Sequence, residues 1–140
     1  MNAPLYTTEI LRLAASLQPP FEIDGPHGSA EVRSPTCGSR IRTKIRIDEE
    51  GRISALSQEV HACAFGQAAA AIVQRSGIGR SVDDVTAIRR SLESWLTGNQ
   101  DTAGDWFGLE ALSPARTRPS RHGAILLPFR ALEAALKATR

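Results

Sequence analysis

Two cysteines, Cys37 and Cys63, are the residues in this sequence best suited to bind a metal or carry sulfur. Cys37 lies in Pro35-Thr36-Cys37-Gly38, where proline and glycine predict a tight turn. Backbone amides in such a turn can point at a sulfur and hold it as a thiolate. Cys63 stands directly before Ala64-Phe65-Gly66-Gln67, a run expected to open a helix. A helix N-terminus carries partial positive charge and favours the thiolate, the form that binds metal. For each residue the plainer alternative is a small, inert, buried cysteine. No CxxC and no paired-histidine motif accompanies them, so their spacing is not that of a zinc finger. Gly77-Ile78-Gly79-Arg80-Ser81 has the glycines of a phosphate loop. It lacks the Walker lysine and follows a helix, so it reads as a helix end, a turn and a new cap. No Ser-His-Asp order and no carboxylate pair stands out, so catalysis is not expected.

These cysteines must be positioned by the elements around them. Leu5 to Leu17 patterns as a helix, stopped by Pro19 and Pro20. Pro19 to Ser29 is loop. Ala30 to Arg33 is a short strand. Arg40 to Ile47 alternates most clearly, with Ile41, Thr43, Ile45 and Ile47 on one face and Arg40, Arg42, Lys44 and Arg46 on the other. Asp48-Glu49-Glu50-Gly51 predicts a hairpin turn, and Arg52 to Ala62 the antiparallel return strand. A tightly packed helix follows from about Gly66 to Gly77. Ser81 with Asp84 reads as a capped helix start, continuing through Leu92 and Leu96 to Gly98. Trp106 to Leu112 is expected as a short helix or turn, and Pro114 to Arg121 as a basic loop. Ala124 to Ala138 is the last helix, with Pro128 in its first turn or breaking it from a preceding turn. Trp95 and Trp106 read as packing residues. Early strands and late helices predict an α+β fold, a three-stranded antiparallel sheet packed against several helices.

The 140 residues suit one domain, and 41% apolar with 23% charged residues is ordinary for a globular chain. No apolar run approaches the roughly 18 residues of a membrane span. Met1 to Leu17 has neither a basic n-region nor a cleavage site, so a cytoplasmic protein with reduced thiols is expected. The basic stripe Arg40, Arg42, Lys44 and Arg46 reads first as the solvated face of a half-covered sheet and second as a docking face. Aromatic residues are only 5% and none interleaves with the stripe, so nucleic acid is not an expected partner.

Four segments carry a resemblance. They are Ser34-Pro35-Thr36-Cys37-Gly38, Ala62-Cys63-Ala64-Phe65-Gly66-Gln67-Ala68, Gly79-Arg80-Ser81-Val82-Asp83-Asp84 before a helix, and Pro114-Ala115-Arg116 ahead of Arg121-His122-Gly123-Ala124-Ile125-Leu126. In order and near-spacing the chain resembles, from Tyr6 to Leu136, the iron–sulfur cluster assembly scaffolds IscU, SufU and the N-terminal domain of NifU. The Pro-Thr-Cys-Gly turn is the most specific piece. The resemblance implies a single NifU/IscU N-terminal-like domain over residues 1–140, with an IscU/SufE-like sandwich fold. It implies a protein that binds iron or an iron–sulfur cluster, or zinc at rest, through Cys37 and Cys63. It also implies a cysteine desulfurase and cluster-recipient proteins as partners.

Members of this family have a third cysteine, which accepts persulfide sulfur, and an aspartate that keeps the cluster labile. Ser39 stands at the aspartate's place, and Gly123 or Ala124 at the third cysteine's. The adjacent His122 is the natural substitute ligand, against the alternative of a surface loop histidine. His61, two residues before Cys63, reads first as an exposed strand histidine and second as a neighbour of the site. His27 has no stronger claim. Two thiolates and an imidazole suit zinc in one chain. A [2Fe–2S] cluster wants about four ligands, so it would be bridged across a homodimer or completed by His122. The alternative is a diverged adaptor or sulfur carrier that docks a desulfurase or partner without holding a cluster.

Overall fold

The computed structural model describes residues 6–35 and 38–139. Its centre is a sheet of three strands, β1 (Gly28–Arg33), β2 (Arg40–Ile47) and β3 (Ile53–His61), in the order β1-β2-β3 with both pairings antiparallel. The alternation of β2 is what the fold uses. Ile41, Thr43 and Ile45 are fully buried against the helices, while the basic residues between them face outward. Register fixes the two ends of the sheet. Arg40 pairs with Arg33 on one side and His61 on the other, so the β1–β2 turn and the end of β3 share one pole. The β2–β3 hairpin and a bulge at Arg46/Ile47 form the opposite pole.

Four α-helices pack with the sheet: α1 (Thr8–Ala15), α2 (Ala64–Ser76), α3 (Val82–Leu96) and α4 (His122–Lys137). The expected start of the first helix, Leu5, lies outside the described residues. Thr7 caps α1 through its Oγ1, which accepts from the Ile10 amide at 3.2 Å. α2 is buried almost all round, lying among α1, α4 and β3, and Ala68–Ala71 let those neighbours approach closely. α3 begins on the expected capping box. The Asp84 amide donates to Ser81 Oγ at 3.2 Å, and the Ser81 amide donates to Asp84 Oδ2 at 3.0 Å. The Ser81 amide, and then its hydroxyl, outweigh partial desolvation and hold the Asp84 carboxyl below its ordinary range.

Two segments differ from the sequence reading. The expected basic loop from Pro114 to Arg121 is helical, forming 3-10 helices Leu109–Thr117 and Pro119–Arg121. Leu109, Leu112 and Ala115 are buried at intervals of three, the repeat of a 3-10 helix, which places all three against the core. The last helix starts at His122 and runs unbroken, with Pro128 buried inside it beyond its first turn. Proline has no amide hydrogen, so the Ala124 carbonyl loses its intrahelical donor. α4 tolerates this because Ala124 to Phe129 are buried against the core and hold the helix by packing.

α3 and α4 are joined by a polar cluster that no local pattern announces. Arg89 Nε donates to Glu133 Oε1 at 2.9 Å, Thr86 Oγ1 to Glu133 Oε2 at 2.5 Å, and Arg89 Nη1 to Glu93 Oε1 at 3.0 Å. Burial pushes the Glu133 carboxyl up, but the hydrogen bonds from Thr86 and Arg89 and the charges of Arg89 and Lys137 hold it below its ordinary range.

Candidate functional site

The pole shared by the β1–β2 turn and the end of β3 carries Cys63 and the described flanks of the Pro-Thr-Cys-Gly segment. The turn is closed by the Ser34 amide, which donates to the Ser39 carbonyl at 2.9 Å, and both serines are buried. Gly38 has φ +72, the left-handed conformation that a turn of this kind requires of a glycine. Cys37 itself lies outside the described residues, between the described Pro35 and Gly38.

Cys63 is the N-cap of α2. Its backbone is extended, with φ −68 and ψ 174, and its side chain makes no capping hydrogen bond. The thiol is free, half-buried and packed at the margin of the main core. No acidic residue occupies the first turn of α2, so no carboxylate competes for the positive end of the helix. The Gln67 side-chain amide donates to the Ala62 carbonyl at 3.0 Å and ties down the backbone next to Cys63. Sequence reasoning assigned Gln67 no role, because its bond to the Ala62 carbonyl is not the capping box, which needs an acceptor at Gly66's position.

α4 begins beside α2. A Cβ added at Gly66 would lie 2.6 Å from the Ala62 Cβ, 3.3 Å from the Ala124 carbonyl oxygen and 3.7 Å from the Ala124 Cβ. Gly66 therefore lets the starts of the two helices touch. Ala124 is 1% exposed, so one of the two residues at the third cysteine's place is a methyl group packed into this junction.

The histidines are placed differently. His122 opens α4, is half-buried, and its Nε2 lies 2.8 Å from the Ala115 carbonyl. A carbonyl only accepts, so Nε2 carries the hydrogen, which in a neutral imidazole leaves the lone pair on Nδ1. This ring borders a cavity of about 470 Å³ together with Leu96, Arg116 and Pro119. His61 is exposed, its Nε2 3.3 Å from Glu59 Oε1, whereas Cys63 packs on the core. β3 ends at His61, so the alternation that would align the two residues stops there. His27 lies toward the far pole, its Nδ1 accepting from the Ile47 amide at 2.8 Å. Among the described residues, no three side chains of His, Cys, Asp and Glu gather closely enough to hold a metal ion.

The cysteine pole is basic. Arg33 and Arg42 reach Glu31 at 3.4 and 3.2 Å. Desolvation pushes Glu31 up, but the Arg33 hydrogen bond and the charges of Arg42, Arg33 and Arg40 hold its carboxyl below the ordinary range. Farther along the same stripe, Arg46 Nη1 donates to the Asp24 and Gly25 carbonyls at 2.6 and 2.9 Å. Much of the stripe is thus engaged within the chain.

Comparison with known proteins gives a consistent picture. The family described as NifU-like N terminal domain matches residues 13–115. The iron–sulfur cluster assembly scaffold protein IscU of Thermotoga maritima is 23% identical over 133 residues, covering 95% of this chain and 93% of that protein. The zinc-dependent sulfurtransferase SufU of Bacillus subtilis is 24% identical over 104 residues, covering 74% of this chain and 70% of that protein. The crystal structure of a nitrogen-fixing NifU-like protein (N-terminal) from Brucella abortus matches with a TM-score of 0.88 and 27% identity, over 96% of this chain and 93% of that one. No helix among the described residues is long and apolar enough to cross a membrane.

Proposed function

Because the chain belongs to the family of NifU-like N-terminal domains, we propose that it is a scaffold of iron–sulfur cluster assembly which binds iron or a cluster through Cys37 and Cys63. The observation that carries this reading is the free Cys63 thiol at an otherwise uncapped helix start, at the same pole as the turn that contains Cys37. The role of the protein is to hold and release cargo. Cys63 stands at the amide end of α2, and the Ser34 amide to Ser39 carbonyl hydrogen bond joins the two described flanks of the segment that carries Cys37 in the sequence.

Zinc fits the same donors. A metal-bound imidazole generally donates its other N–H to a carbonyl or carboxylate, and the His122 to Ala115 hydrogen bond has that form. Cys37, Cys63 and His122 Nδ1 would hold the ion, leaving one tetrahedral position for sulfur or solvent. Zinc bound there would lower the charge of the thiolates and keep them from oxidising. A [2Fe–2S] cargo wants about four ligands, and two chains facing each other supply four cysteines. A cysteine desulfurase is the expected sulfur donor. With Ala124 packed against Gly66, a persulfide would have to form on Cys37 or Cys63.

The second reading, an adaptor that docks a desulfurase without a cluster, is favoured by Ser39 and Gly123-Ala124 standing where the family has an aspartate and a cysteine.

Anaerobic reconstitution with iron and sulfide tests these readings. The scaffold reading expects a visible chromophore that both Cys37→Ala and Cys63→Ala abolish. A colourless native protein defeats it and leaves the adaptor. Sedimentation equilibrium of the coloured sample should give a dimer, and a coloured monomer ends the bridged arrangement. Zinc analysis of the purified protein, with loss in Cys63→Ala and His122→Ala, tests the resting ion.

A further inference from the structure

The pole opposite Cys63 has a different composition. The loop between α2 and α3 is pinned to the start of β3: the Ile53 amide donates to the Arg80 carbonyl at 2.9 Å, and the Gly79 amide to the Ile53 carbonyl at 2.8 Å. This brings Arg52, Arg75 and Arg80 around one open cavity of about 510 Å³, with Ile78 and Phe107 on its rim. Both rim residues are more than half exposed, at 51% and 58%, which is unusual for large apolar side chains grouped together.

The three guanidiniums are not equivalent. Arg52 Nη1 donates to the Gly79 carbonyl at 3.1 Å and lies 3.7 Å from Asp84 Oδ2. Arg80 Nε donates to the Ser76 carbonyl at 3.0 Å, its guanidinium 5.1 Å from the Trp106 ring centroid. Arg75 lies 3.9 Å from the Phe107 ring centroid and has no carboxylate within ion-pair distance among the described residues. A guanidinium stacked on a ring is already ordered and desolvated on one face. Its N–H edge stays free to donate two parallel bonds to a carboxylate.

We propose that this pole docks an acidic segment of a partner protein, one that sets a carboxylate on Arg75 and an apolar side chain between Ile78 and Phe107. Charge complementarity with Arg75 selects the carboxylate, and the two exposed apolar residues select a protein segment over a small anion. A phosphate is disfavoured because the capping box already occupies the start of α3, with the Ser81 amide on the Asp84 carboxylate and the Asp84 amide on the Ser81 hydroxyl. Nucleic acid is disfavoured because Arg75 already covers Phe107, the exposed ring a base would stack on. The proposal does not depend on the cysteines. Because the two poles lie at opposite ends of the sheet, a partner held here leaves Cys63 accessible.

The probe is a fluorescein-labelled peptide Glu-Leu-Glu-Phe-Glu-Leu-Glu, titrated with metal-free full-length protein and followed by anisotropy. Binding is expected, weakened about tenfold or more by Arg75→Glu and about threefold by Arg75→Lys, which keeps charge but loses the planar fork. Phe107→Ser should weaken it, and Arg40→Glu at the other pole should not. A peptide with Gln for every Glu should fail to bind. Circular dichroism melts establish that each variant is folded. The proposal is overturned if no binding is seen up to about 1 mM, or if Arg75→Glu binds as well as the native chain. It is also overturned if inorganic phosphate displaces the peptide at equal concentration, or if a single-stranded oligonucleotide binds more tightly at the same residues. Because no iron, sulfide or zinc is present, the result is independent of the cysteine site.

Discussion

The two poles of the sheet are built from different materials. At the cysteine pole, backbone and small residues do the positioning: Ser34 closes a turn, Gly66 lets α2 and α4 touch, and Ala124 fills the junction. At the arginine pole, long side chains project from the end of α2, the loop after it and the start of β3, with that loop pinned to Ile53. On the proposed reading, the cysteine pole holds a small inorganic cargo, which needs sulfurs fixed by the main chain. A site that recognises a polypeptide can tolerate flexible side chains, provided some are ordered beforehand, as Arg75 is by Phe107.

This contrast can be tested by substitution. The largest stability effect is expected where the two poles are joined, since α3 starts at the arginine pole and α4 at the cysteine pole. Glu133→Ala leaves the partly buried Arg89 without its main partner and should cost about 3 kcal/mol in urea unfolding. A single cooperative transition at lower urea is expected. Two transitions would mean that the poles unfold separately. Gly66→Val comes next. Its new side chain meets Ala62 and the Ala124 backbone, and overpacking should cost about 2 kcal/mol. It should also diminish the iron–sulfide chromophore while leaving peptide binding unchanged, because it displaces only the cysteine pole. Ser81→Ala removes the α3 cap and should cost about 1 kcal/mol, with the opposite pattern of weakened peptide binding and an unchanged chromophore.

The smallest effect is the dependence on acid. Glu133 and Asp84 are held below their ordinary values of 4.5 and 3.8 in the folded protein. The stability they contribute is fully present above those values. It is lost as pH falls through their lower folded pKa values, because the unfolded chain takes up protons first. Urea midpoints should be flat from pH 7 to about 5 and fall below about pH 4.5. Glu133→Gln should flatten the fall, and an undiminished slope in that variant would assign the effect elsewhere.

Much of this architecture is legible in the sequence where the signal is local. The alternation from Arg40 to Ile47 matches β2 residue for residue, and the Ser81/Asp84 capping box is found as read. Element ends move by a few residues, as for α1 and β3, because the last turns and pairs depend on neighbours. The 3-10 helix from Leu109 overlaps the short helix or turn expected at Trp106 to Leu112, but its continuation past Pro114 is hidden because that proline and the arginines suggest a loop, and the repeat of three is shorter than the helical period usually sought. Pro128 suggested a break, and only the burial of its neighbours explains why α4 continues. Gly66 against Ala124 and Arg89 against Glu133 are contacts between distant segments, invisible to any local pattern. For the candidate site, the sequence supplied the residue types. The structure added the shared pole, the tautomer of His122 and the separation of His61 from Cys63.

Pro128 has one further consequence, for motion. In a regular helix the first turn is secured by successive amides reaching back four residues, and here the third of these is missing opposite Ala124. The opening turn of α4 is therefore held by the Leu126 and Leu127 amides together with the packing of its buried residues, and is divided from the rest of the helix by a gap in the ladder. Fraying that begins at His122 should stop at this gap, leaving the helix from Phe129 onward intact. The opening turn on which His122 stands is thus the part of α4 that local opening reaches first. Its two amides should exchange with deuterium well before those that follow the proline.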